Sequence, residues 1–398
     1  MSLREKIVQE IREGGPIPFS RYMEMCLYDR EQGYYSRNVE QFGKAGDFYT
    51  SSDVHAVFGR LLARQFDEMW RVLGSPPQIE ILELGPGRGL FARDVLDWSE
   101  KKFPEFFSAL RYRLAERSSA LRERLQATLE RHFAAGNASL VMSSVAAERQ
   151  KSAAHGVGRG LEGFSPLGFE RILAPEVPLI VFANEFFDAL PVEVISPQGQ
   201  LRIAEKDGRF IETWVPPSSD DLEYLDRYSV HPEDGERVET AGIAQNYMTQ
   251  LSASIQRGFL IAIDYGYTRA EQLAGRHRDT LMTYRQHSAR PNPYEAPGEQ
   301  DITAHVNFTA LAAAAEQQGM QVQPLRTQSQ FLMGIGEPNQ FADAFEDCRL
   351  PQERAKVALQ LKHLVTPAGL GESFHSLIAS KAVATDRVAS LSGLSFGS

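Results

Sequence analysis

The chain has 398 residues, of which 42% are hydrophobic and 24% are charged, a balance that is ordinary for a globular protein. A net charge of -10 argues against nucleic acid as a partner, and Cys26 and Cys348 lack the spacing of a disulfide framework or a metal cluster. No apolar run approaches the roughly 20 residues that span a bilayer, and the N-terminus does not resemble a signal peptide. We therefore expect a cytoplasmic protein without membrane insertion.

The N-terminal part of the sequence predicts helices. Ser2 and Glu5 have the spacing of a capping box at the start of a first helix. Residues 19–73 look mostly helical and are broken by a polar, glycine-flanked loop at residues 43–53. These features predict an N-terminal helical cap over residues 1–75.

From Gln78 onward, short apolar runs alternate with amphipathic segments, as in a parallel sheet whose strands are joined by helices. The predicted strands are IEILEL, RYRLAE, ASLVMS, PLIVFAN and GFLIAIDY. The turn signals PQGQ and KDGR predict a small antiparallel insertion after the fourth strand. The predicted units are the helical cap (1–75), two parts of an α/β domain (76–192 and 258–385), an inserted subdomain (193–257) and a mobile tail (386–398).

Three glycines follow the first predicted strand in LELGPGRG, residues 82–89. Gly85, Gly87 and Gly89 would let the chain turn tightly, let the backbone approach a ligand, and present N–H groups at the start of a helix. The motif predicts a nucleotide-like ligand, but a tight strand-to-helix turn alone is an alternative. The spacing is GxGxG, and Pro86 and Arg88 depart from the fingerprint of NAD-binding loops.

Two carboxylates favour S-adenosylmethionine (SAM) over NAD as that ligand. Glu83 lies two residues before the first glycine, where it would attract the cationic groups of SAM and repel the pyrophosphate of NAD. Glu116 ends the next predicted strand, within reach of ribose hydroxyls. The alternative for Glu116 is a solvated charge at a strand end.

Polar residues also follow two later predicted strands. ANEFFDALPV places Asn184, Glu185 and Asp188 at the carboxyl edge of the sheet, and Asp264 closes the fifth predicted strand at the same edge. Carboxylates there would bind a cationic substrate or position an attacking nitrogen. The alternative is that Asn184 caps a short helix over EFFDAL.

The N-terminal loop GKAGDFYTSSD contains Gly46, Asp47, Thr50 and Ser51. Phe48 and Tyr49 in its centre suit an aromatic lid over a ligand, although an elaborate helix N-cap would explain the polar residues equally well.

Asp301 and His305 have the chemistry of an acid–base pair, but a packing role is the favoured interpretation for His305. The nine histidines have no HxH or HExxH spacing, so no metal is predicted.

Five motifs, GDFYTSSDVHAVFG, LELGPGRG, ANEFFDALPV, AIDYG and QDITAHVNF, occur in this order over nearly the whole chain. Together they resemble the MidA-type SAM-dependent methyltransferases. That family includes the mitochondrial complex I assembly factor that symmetrically dimethylates an arginine of a complex I subunit. The resemblance implies a class I, Rossmann-like methyltransferase fold with an N-terminal extension and an insertion.

The resemblance also implies roles for residues. It matches the three glycines to the family's SAM loop, Glu116 to its ribose carboxylate, residues 46–52 to its lid motif, and Asn184 with Glu185 to the motif beside the transferred methyl group. Leu90 and Phe91 depart from the mitochondrial relatives. The expected cofactor-binding residues are Glu83, Gly85, Pro86, Gly87, Gly89, Glu116, Gly46, Asp47, Thr50, Ser51 and Asn184, and the expected catalytic residues are Glu185, Asn184, Asp188 and Asp264.

The expected function is methyl transfer from SAM to an arginine of a protein, with a complex I subunit as the acceptor protein that the family suggests. Two alternatives stay open: a small-molecule methyltransferase, and a SAM-binding assembly factor with little catalysis. The sequence is compatible with a homodimer but does not fix the oligomeric state.

Overall fold

The computed structural model describes residues 1–37, 56–141, 176–285, 288–289 and 292–396, with the side chains of 288–289 left aside. Its helices are α1 Leu3–Gly14, α2 Phe19–Tyr28, α3 Val57–Val72, α4 Leu90–Lys102, α5 Pro104–Ala109, α6 Ser119–Thr128, α7 Glu130–Ala134, α8 Ser219–Tyr228, α9 Gly242–Ser254, α10 Arg269–Leu273, α11 Phe308–Gln317, α12 Gln328–Gly336, α13 Ala342–Phe345, α14 Pro351–Val365, α15 Thr385–Ala389 and α16 Ser392–Ser395. Its strands are β1 Ile17–Pro18, β2 Ile79–Leu84, β3 Leu110–Ala115, β4 Ala138–Leu140, β5 Leu179–Asn184, β6 Glu193–Ser196, β7 Gly199–Lys206, β8 Arg209–Val215, β9 Val238–Thr240, β10 Gly258–Tyr267, β11 Met282–Arg285, β12 Ser288–Ala289, β13 Asp301–Thr303, β14 Val306–Asn307, β15 Gln321–Val322, β16 Arg326–Thr327 and β17 Phe374–Lys381.

The central sheet has the strand order β15-β17-β10-β5-β2-β3-β4. β10, β5, β2, β3 and β4 run parallel, whereas β17 is antiparallel to β10. Every residue of β2 is buried, because helices cover both faces of the sheet. The predicted α/β class is confirmed, and each of the five predicted runs contains a strand, although ASLVMS is strand only over Ala138–Leu140 and its last two residues lie outside the described residues. β17 is an additional strand that the pattern did not identify.

Helices α3 and α4 pack on one face of this sheet. There Phe91 of α4 stacks on Phe182 of β5, with ring centroids 4.5 Å apart, and Phe66 of α3 meets Phe182 edge-on. Phe91 is therefore a core residue, and its side chain is 5% exposed. Burial of such rings stabilises the packing of α3 and α4 on this face.

The insertion is antiparallel, as the turn signals predict. β6, β7, β8 and β9 form a small sheet, and Asp207 and Gly208 in the KDGR turn both have positive φ, as a two-residue hairpin requires. β1 from the N-terminal segment adds to the same sheet beside β7. Helices α1 and α2 share a hydrophobic core with this insertion, whereas α3 belongs to the core of the central sheet. The predicted helical cap is thus divided: α1 and α2 pack on the insertion, and α3 packs on the central sheet.

The C-terminal segment differs from the predicted mobile tail. Val388 and Leu391 are buried, and the backbone N–H of Gly393 donates to Oε1 of Gln65 at 2.9 Å. The serines and glycines of the segment suggested mobility, but its few apolar side chains pack into the hydrophobic core beside α3 and α12. Within the described ranges, no helix combines the length and the apolar character that crossing a bilayer requires.

Candidate active site

The carboxyl ends of β3, β2, β5 and β10 meet at one edge of the central sheet because these strands are parallel neighbours. The backbone N–H of Gly85 donates to the carbonyl of Ala115 at 3.0 Å, so the glycine loop continues beside the end of β3. On the other side, the N–H of Glu185 donates to the carbonyl of Ile263 at 2.9 Å. The sheet thereby brings three predicted motifs together.

The glycine loop has the backbone that its sequence predicts. Gly85, Gly87 and Gly89 have φ values of 61°, 53° and 76°, a region that other residues rarely adopt. Gly89 directly precedes α4, so the loop lies at the positive end of that helix. A Cβ atom on Gly87 would meet no described atom within 4 Å, whereas one on Gly85 would lie 3.2 Å from the ring of Phe186. Gly87 therefore borders open space that a ligand can approach.

Glu116 lies directly beside this loop. Its Oε1 accepts the backbone N–H of Ser118 at 2.8 Å, and the N–H groups of Gly87 and Arg117 also stabilise its carboxylate. Desolvation nevertheless raises the pKa of Glu116 to about 7. The carboxyl group is thus part of the loop structure and is not merely a solvated charge.

Glu83 is more deeply enclosed than a surface carboxylate. Its side chain is 5% exposed, and its Oε2 accepts the phenolic O–H of Tyr112 at 2.8 Å. Burial raises the pKa of Glu83 to about 8, with the hydrogen bond from Tyr112 acting in the opposite direction. No arginine or lysine forms an ion pair with Glu83 among the described residues. A cationic group of a ligand would stabilise its ionised form.

The segment after β5 is a tight turn and not the short helix of the capping alternative. Glu185 has a φ of 49°, which is uncommon for a residue with a side chain. Oδ2 of Asp264 accepts the successive N–H groups of Phe186, Phe187 and Asp188 at 3.2, 3.0 and 3.3 Å. In a helix, these N–H groups would donate to backbone carbonyls. Here the Asp264 carboxylate accepts them instead, so the turn needs no helix to satisfy its backbone donors.

Asn184 and Glu185 lie side by side at the start of the turn. Nδ2 of Asn184 donates to Oε1 of Glu185 at 3.1 Å. Oδ1 of Asn184 is buried and has no hydrogen-bond partner among the residues that the structure describes. A buried acceptor without a donor is costly in a folded protein, so this atom fits a ligand that brings an N–H or O–H group.

Asp188 lies at the other end of the turn. Its Oδ2 accepts the O–H of Tyr265 at 2.6 Å, while Oδ1 is buried without a partner in the described part of the chain. Burial raises the pKa of Asp188 to about 6. Burial and the charges of Asp188 and Glu185 raise the pKa of Asp264 well above its ordinary value. The carboxyl groups of the turn therefore form an acidic site, in which the charges of Asp188 and Glu185 oppose ionisation of Asp264.

Among the described residues, Asp301 and His305 contact other side chains rather than each other as the suggested acid–base pair. Oδ1 of Asp301 accepts the O–H of Tyr35 at 2.9 Å, and Nδ1 of His305 lies 3.3 Å from Nδ1 of His277. Burial lowers the pKa of His305 to about 4, so this side chain is neutral at physiological pH. The lid residues Gly46, Asp47, Phe48, Tyr49, Thr50 and Ser51 lie outside the described residues.

Tyr112 and Tyr265 at this edge are not identified as site residues by the sequence pattern. Tyr112 donates a hydrogen bond to Glu83, and Tyr265 donates one to Asp188. Phe186 lies between the glycine loop and Tyr247, and the ring centroids of Phe186 and Tyr247 are 5.8 Å apart. AIDYGY shows that Tyr265 follows Asp264 directly, but only the fold reveals what it contacts. Tyr112 lies within a strand, where an aromatic residue is expected for packing alone.

Two proteins that are similar to this chain over most of its length are protein arginine methyltransferases by name. The mitochondrial protein arginine methyltransferase NDUFAF7 homolog of Drosophila melanogaster is 31% identical over 337 residues, which are 80% of this chain and 71% of the relative. Mitochondrial protein arginine methyltransferase NDUFAF7 of Mus musculus is 29% identical over 390 residues, covering 93% of this chain and 82% of the relative. These relatives are mitochondrial by name, which contradicts the predicted cytoplasmic location. That prediction rested on the charge and hydropathy of the N-terminus, which do not identify a compartment.

The fold also matches solved structures. A COG1565 superfamily member from Burkholderia thailandensis, bound to S-adenosyl-homocysteine, superimposes with a TM-score of 0.77 at 24% identity and covers 98% of this chain and 94% of its own. Residues 61–325 match the family described as "Putative S-adenosyl-L-methionine-dependent methyltransferase". Because that match spans more than half of the sequence, the chain belongs to this family of SAM-dependent methyltransferases.

Proposed function

We propose that this protein methylates the guanidinium group of an arginine in a protein. The carrying observation is the acidic turn of residues 184–188, which lies at the same sheet edge as the glycine loop and is held there by Asp264. Neither Asp188 nor Asp264 forms an ion pair with lysine or arginine among the described residues. An acidic site of this kind suits a cationic acceptor. The names of the relatives support the same acceptor.

The cofactor fits the residues at this edge. SAM carries a sulfonium-activated methyl group and a cationic amino group. Gly87 offers close approach to the backbone, and Glu116 has a carboxylate for ribose hydroxyls. Glu83 is a buried acid that a cation would stabilise, and Oδ1 of Asn184 is an acceptor without a described donor. Gly85, Pro86 and Gly89 complete the loop in this proposal, and Gly46, Asp47, Thr50 and Ser51 stay proposed lid residues.

Glu185 is the proposed catalytic carboxylate. Methyl transfer forms a bond between the acceptor nitrogen and the methyl carbon with the nitrogen lone pair, while the electrons of the broken sulfur–carbon bond remain on sulfur. The nitrogen then loses a proton to water. Glu185 would orient the nitrogen through an N–H hydrogen bond and stabilise the positive charge until that proton leaves. Asn184 fixes the Glu185 carboxylate through the bond from Nδ2.

Asp188 and Asp264 have different proposed roles. Oδ1 of Asp188 is an unused acceptor in the described structure and would receive a second N–H of the acceptor. The Asp264 carboxylate is occupied by backbone donors and is 1% exposed. We therefore assign Asp264 to positioning the turn, and not to direct contact with substrate as the sequence suggested.

Experiments can distinguish this proposal from the two alternatives, a small-molecule methyltransferase and a SAM-binding assembly factor. A small-molecule methyltransferase would modify no protein, and a SAM-binding assembly factor would function without the Glu185 carboxylate. A complex I subunit is the acceptor protein that the family resemblance suggests, and homodimer formation stays a prediction.

The decisive experiment compares arginine methylation in cells that lack this protein and in cells that regain it. Mass spectrometry should detect a methylated arginine peptide that disappears on deletion and returns with the wild-type chain. It should return with Glu123→Gln, a change of an exposed glutamate on α6, but not with Glu185→Gln. An unchanged set of methylated arginines after deletion would contradict the proposal.

A further inference from the structure

The dipeptide Asp264–Tyr265 holds the acidic turn at two points. Asp264 accepts the backbone N–H groups of the turn, and Tyr265 donates its O–H to Oδ2 of Asp188 at 2.6 Å. Adjacent side chains of a strand point to opposite faces, so the two contacts approach the turn from different directions. β10 therefore determines both the backbone path of the turn and the orientation of its last carboxylate.

The phenol ring of Tyr265 is itself fixed by aromatic neighbours. His305 contacts it edge-on at 5.3 Å between ring centroids, and Phe374 contacts it at 5.5 Å. The imidazole of His305 lies against His277 and does not approach Asp188 by a described hydrogen bond. The direction of the Tyr265 hydroxyl is thus set by packing, which limits the orientations open to the Asp188 carboxylate.

Only one oxygen of Asp188 is left to bind another group. Oδ2 is taken by Tyr265, and Oδ1 is buried without a described partner. We infer that Tyr265 is a positioning residue for methyl transfer, because it turns Asp188 so that Oδ1 receives an N–H of the acceptor guanidinium. This inference rests on the proposed function. A planar guanidinium can reach two carboxylates, Glu185 and Asp188, with different N–H groups at once.

The groups that act on Asp188 come from several elements. They are Tyr265 and Asp264 of β10, Tyr28 of α2, Tyr35 from the turn after α2, Tyr284 of β11, the backbone N–H groups of Asp188 and Ala189, and Glu185 of the same turn through Asp264. Arg117 lies over the ring of Tyr28 at 5.5 Å. Tyr265 differs from the other tyrosines because it donates a hydrogen bond to the carboxylate. That bond favours ionised Asp188 and lowers its pKa.

The test replaces Tyr265 with phenylalanine, which keeps the ring and removes the donor. Tyr267→Phe is the matched control, because Tyr267 is on the same strand, stacks on His277, and its hydroxyl accepts a bond from Gln272. Carboxyl NMR of protein labelled with ¹³C-aspartate, assigned with Asp188→Asn, follows the Asp188 titration without cofactor or acceptor. Tyr265→Phe should raise its midpoint by about one pH unit, as expected for one lost bond to a charged group, and Tyr267→Phe should leave it unchanged.

Single-turnover methylation over a range of pH gives the second readout. Tyr265→Phe should lower the rate about fivefold near pH 6 and less at pH 8.5, because a midpoint one pH unit higher leaves more Asp188 protonated at low pH. An unshifted titration or a pH profile parallel to wild type would overturn the inference, even if the wild-type protein methylates arginine. Absence of arginine methylation by the wild-type protein would instead overturn the proposed function, and the inference with it. The NMR midpoint would still report the Tyr265–Asp188 bond.

Discussion

Asp264 accepts the backbone N–H of Phe187 at 3.0 Å, although the two residues are 77 positions apart in the chain. The same oxygen accepts the N–H groups of Phe186 and Asp188, so three successive donors converge on one carboxylate. This arrangement sustains the left-handed conformation of Glu185, which costs free energy in isolation. The acidic turn of residues 184–188 therefore depends on a residue of the neighbouring strand.

Replacing Asp264 with alanine should destabilise the protein by about 2–4 kcal/mol, because backbone donors of a buried turn lose their acceptor. Urea unfolding followed by circular dichroism measures this change. Asp234→Ala, at an exposed loop position of the insertion, is the control and should change stability by less than about 0.5 kcal/mol. Equal effects of the two substitutions would show that the turn does not need Asp264.

Gly87→Val should abolish SAM binding or weaken it at least about tenfold, because the side chain would enter the open space beside the loop and the residue has a positive φ. Isothermal calorimetry measures the affinity. Gly136→Val is a matched control, since Gly136 also has a positive φ and open surroundings but precedes β4 at the opposite edge of the sheet. Equal SAM affinity in both variants would remove the cofactor site from this loop.

Glu116→Ala should weaken SAM binding by about 1–3 kcal/mol, which is the usual cost of losing a hydrogen bond to a charged group. The side chain also accepts the N–H of Ser118, so thermal unfolding must accompany the calorimetry. Glu123→Ala on α6 provides the surface control. The ribose assignment fails if both alanine variants bind SAM as the wild type does.

Glu185→Gln should keep SAM affinity within a few fold and lower the single-turnover methylation rate about tenfold or more, because glutamine cannot stabilise the charge that develops on the acceptor. Rapid-quench measurement with a substrate peptide separates this step from binding. Asn184 can still hold a glutamine oxygen, so the turn should keep its geometry. A normal rate in this variant would assign the catalytic role elsewhere.

Glu83→Gln should make stability less dependent on pH. Glu83 retains its proton in the folded protein up to about pH 8, whereas its ordinary pKa is 4.5. Its contribution to stability is therefore greatest below pH 4.5 and is lost as the pH rises toward 8. As the pH rises from 4.5 to 8, the free energy of unfolding of the variant, measured in urea, should increase by about 2–4 kcal/mol relative to that of the wild type. A constant difference between the two proteins over this range would contradict the raised pKa.

Much of the fold could be predicted from local sequence. The five apolar runs from IEILEL to GFLIAIDY identified five strands of the central sheet, because strands buried on both faces are apolar throughout. The KDGR and PQGQ signals identified the antiparallel insertion, because few residues adopt the backbone of such turns. The three glycines similarly predicted a loop whose φ values are positive.

The contacts between distant residues could not be predicted in this way. The C-terminal segment looks mobile by composition, yet Val388 and Leu391 are buried, since packing against α3 outweighs local preference. EFFDAL has a helical pattern but forms a turn, because Asp264 supplies an acceptor for its N–H groups.

By itself, the sequence determined which chemistry is available at each strand end: glycines after β2, a carboxylate after β3, and an amide with two carboxylates after β5. Only the tertiary structure decided which of these groups keep a free oxygen. Asp264 is saturated by backbone donors, whereas Asp188 retains Oδ1 because Tyr265 takes its other oxygen. The hydrogen-bond partners of these groups depend on which strands lie next to each other. The strand order in turn follows from burial of the apolar surface of the whole chain, and not from any local motif.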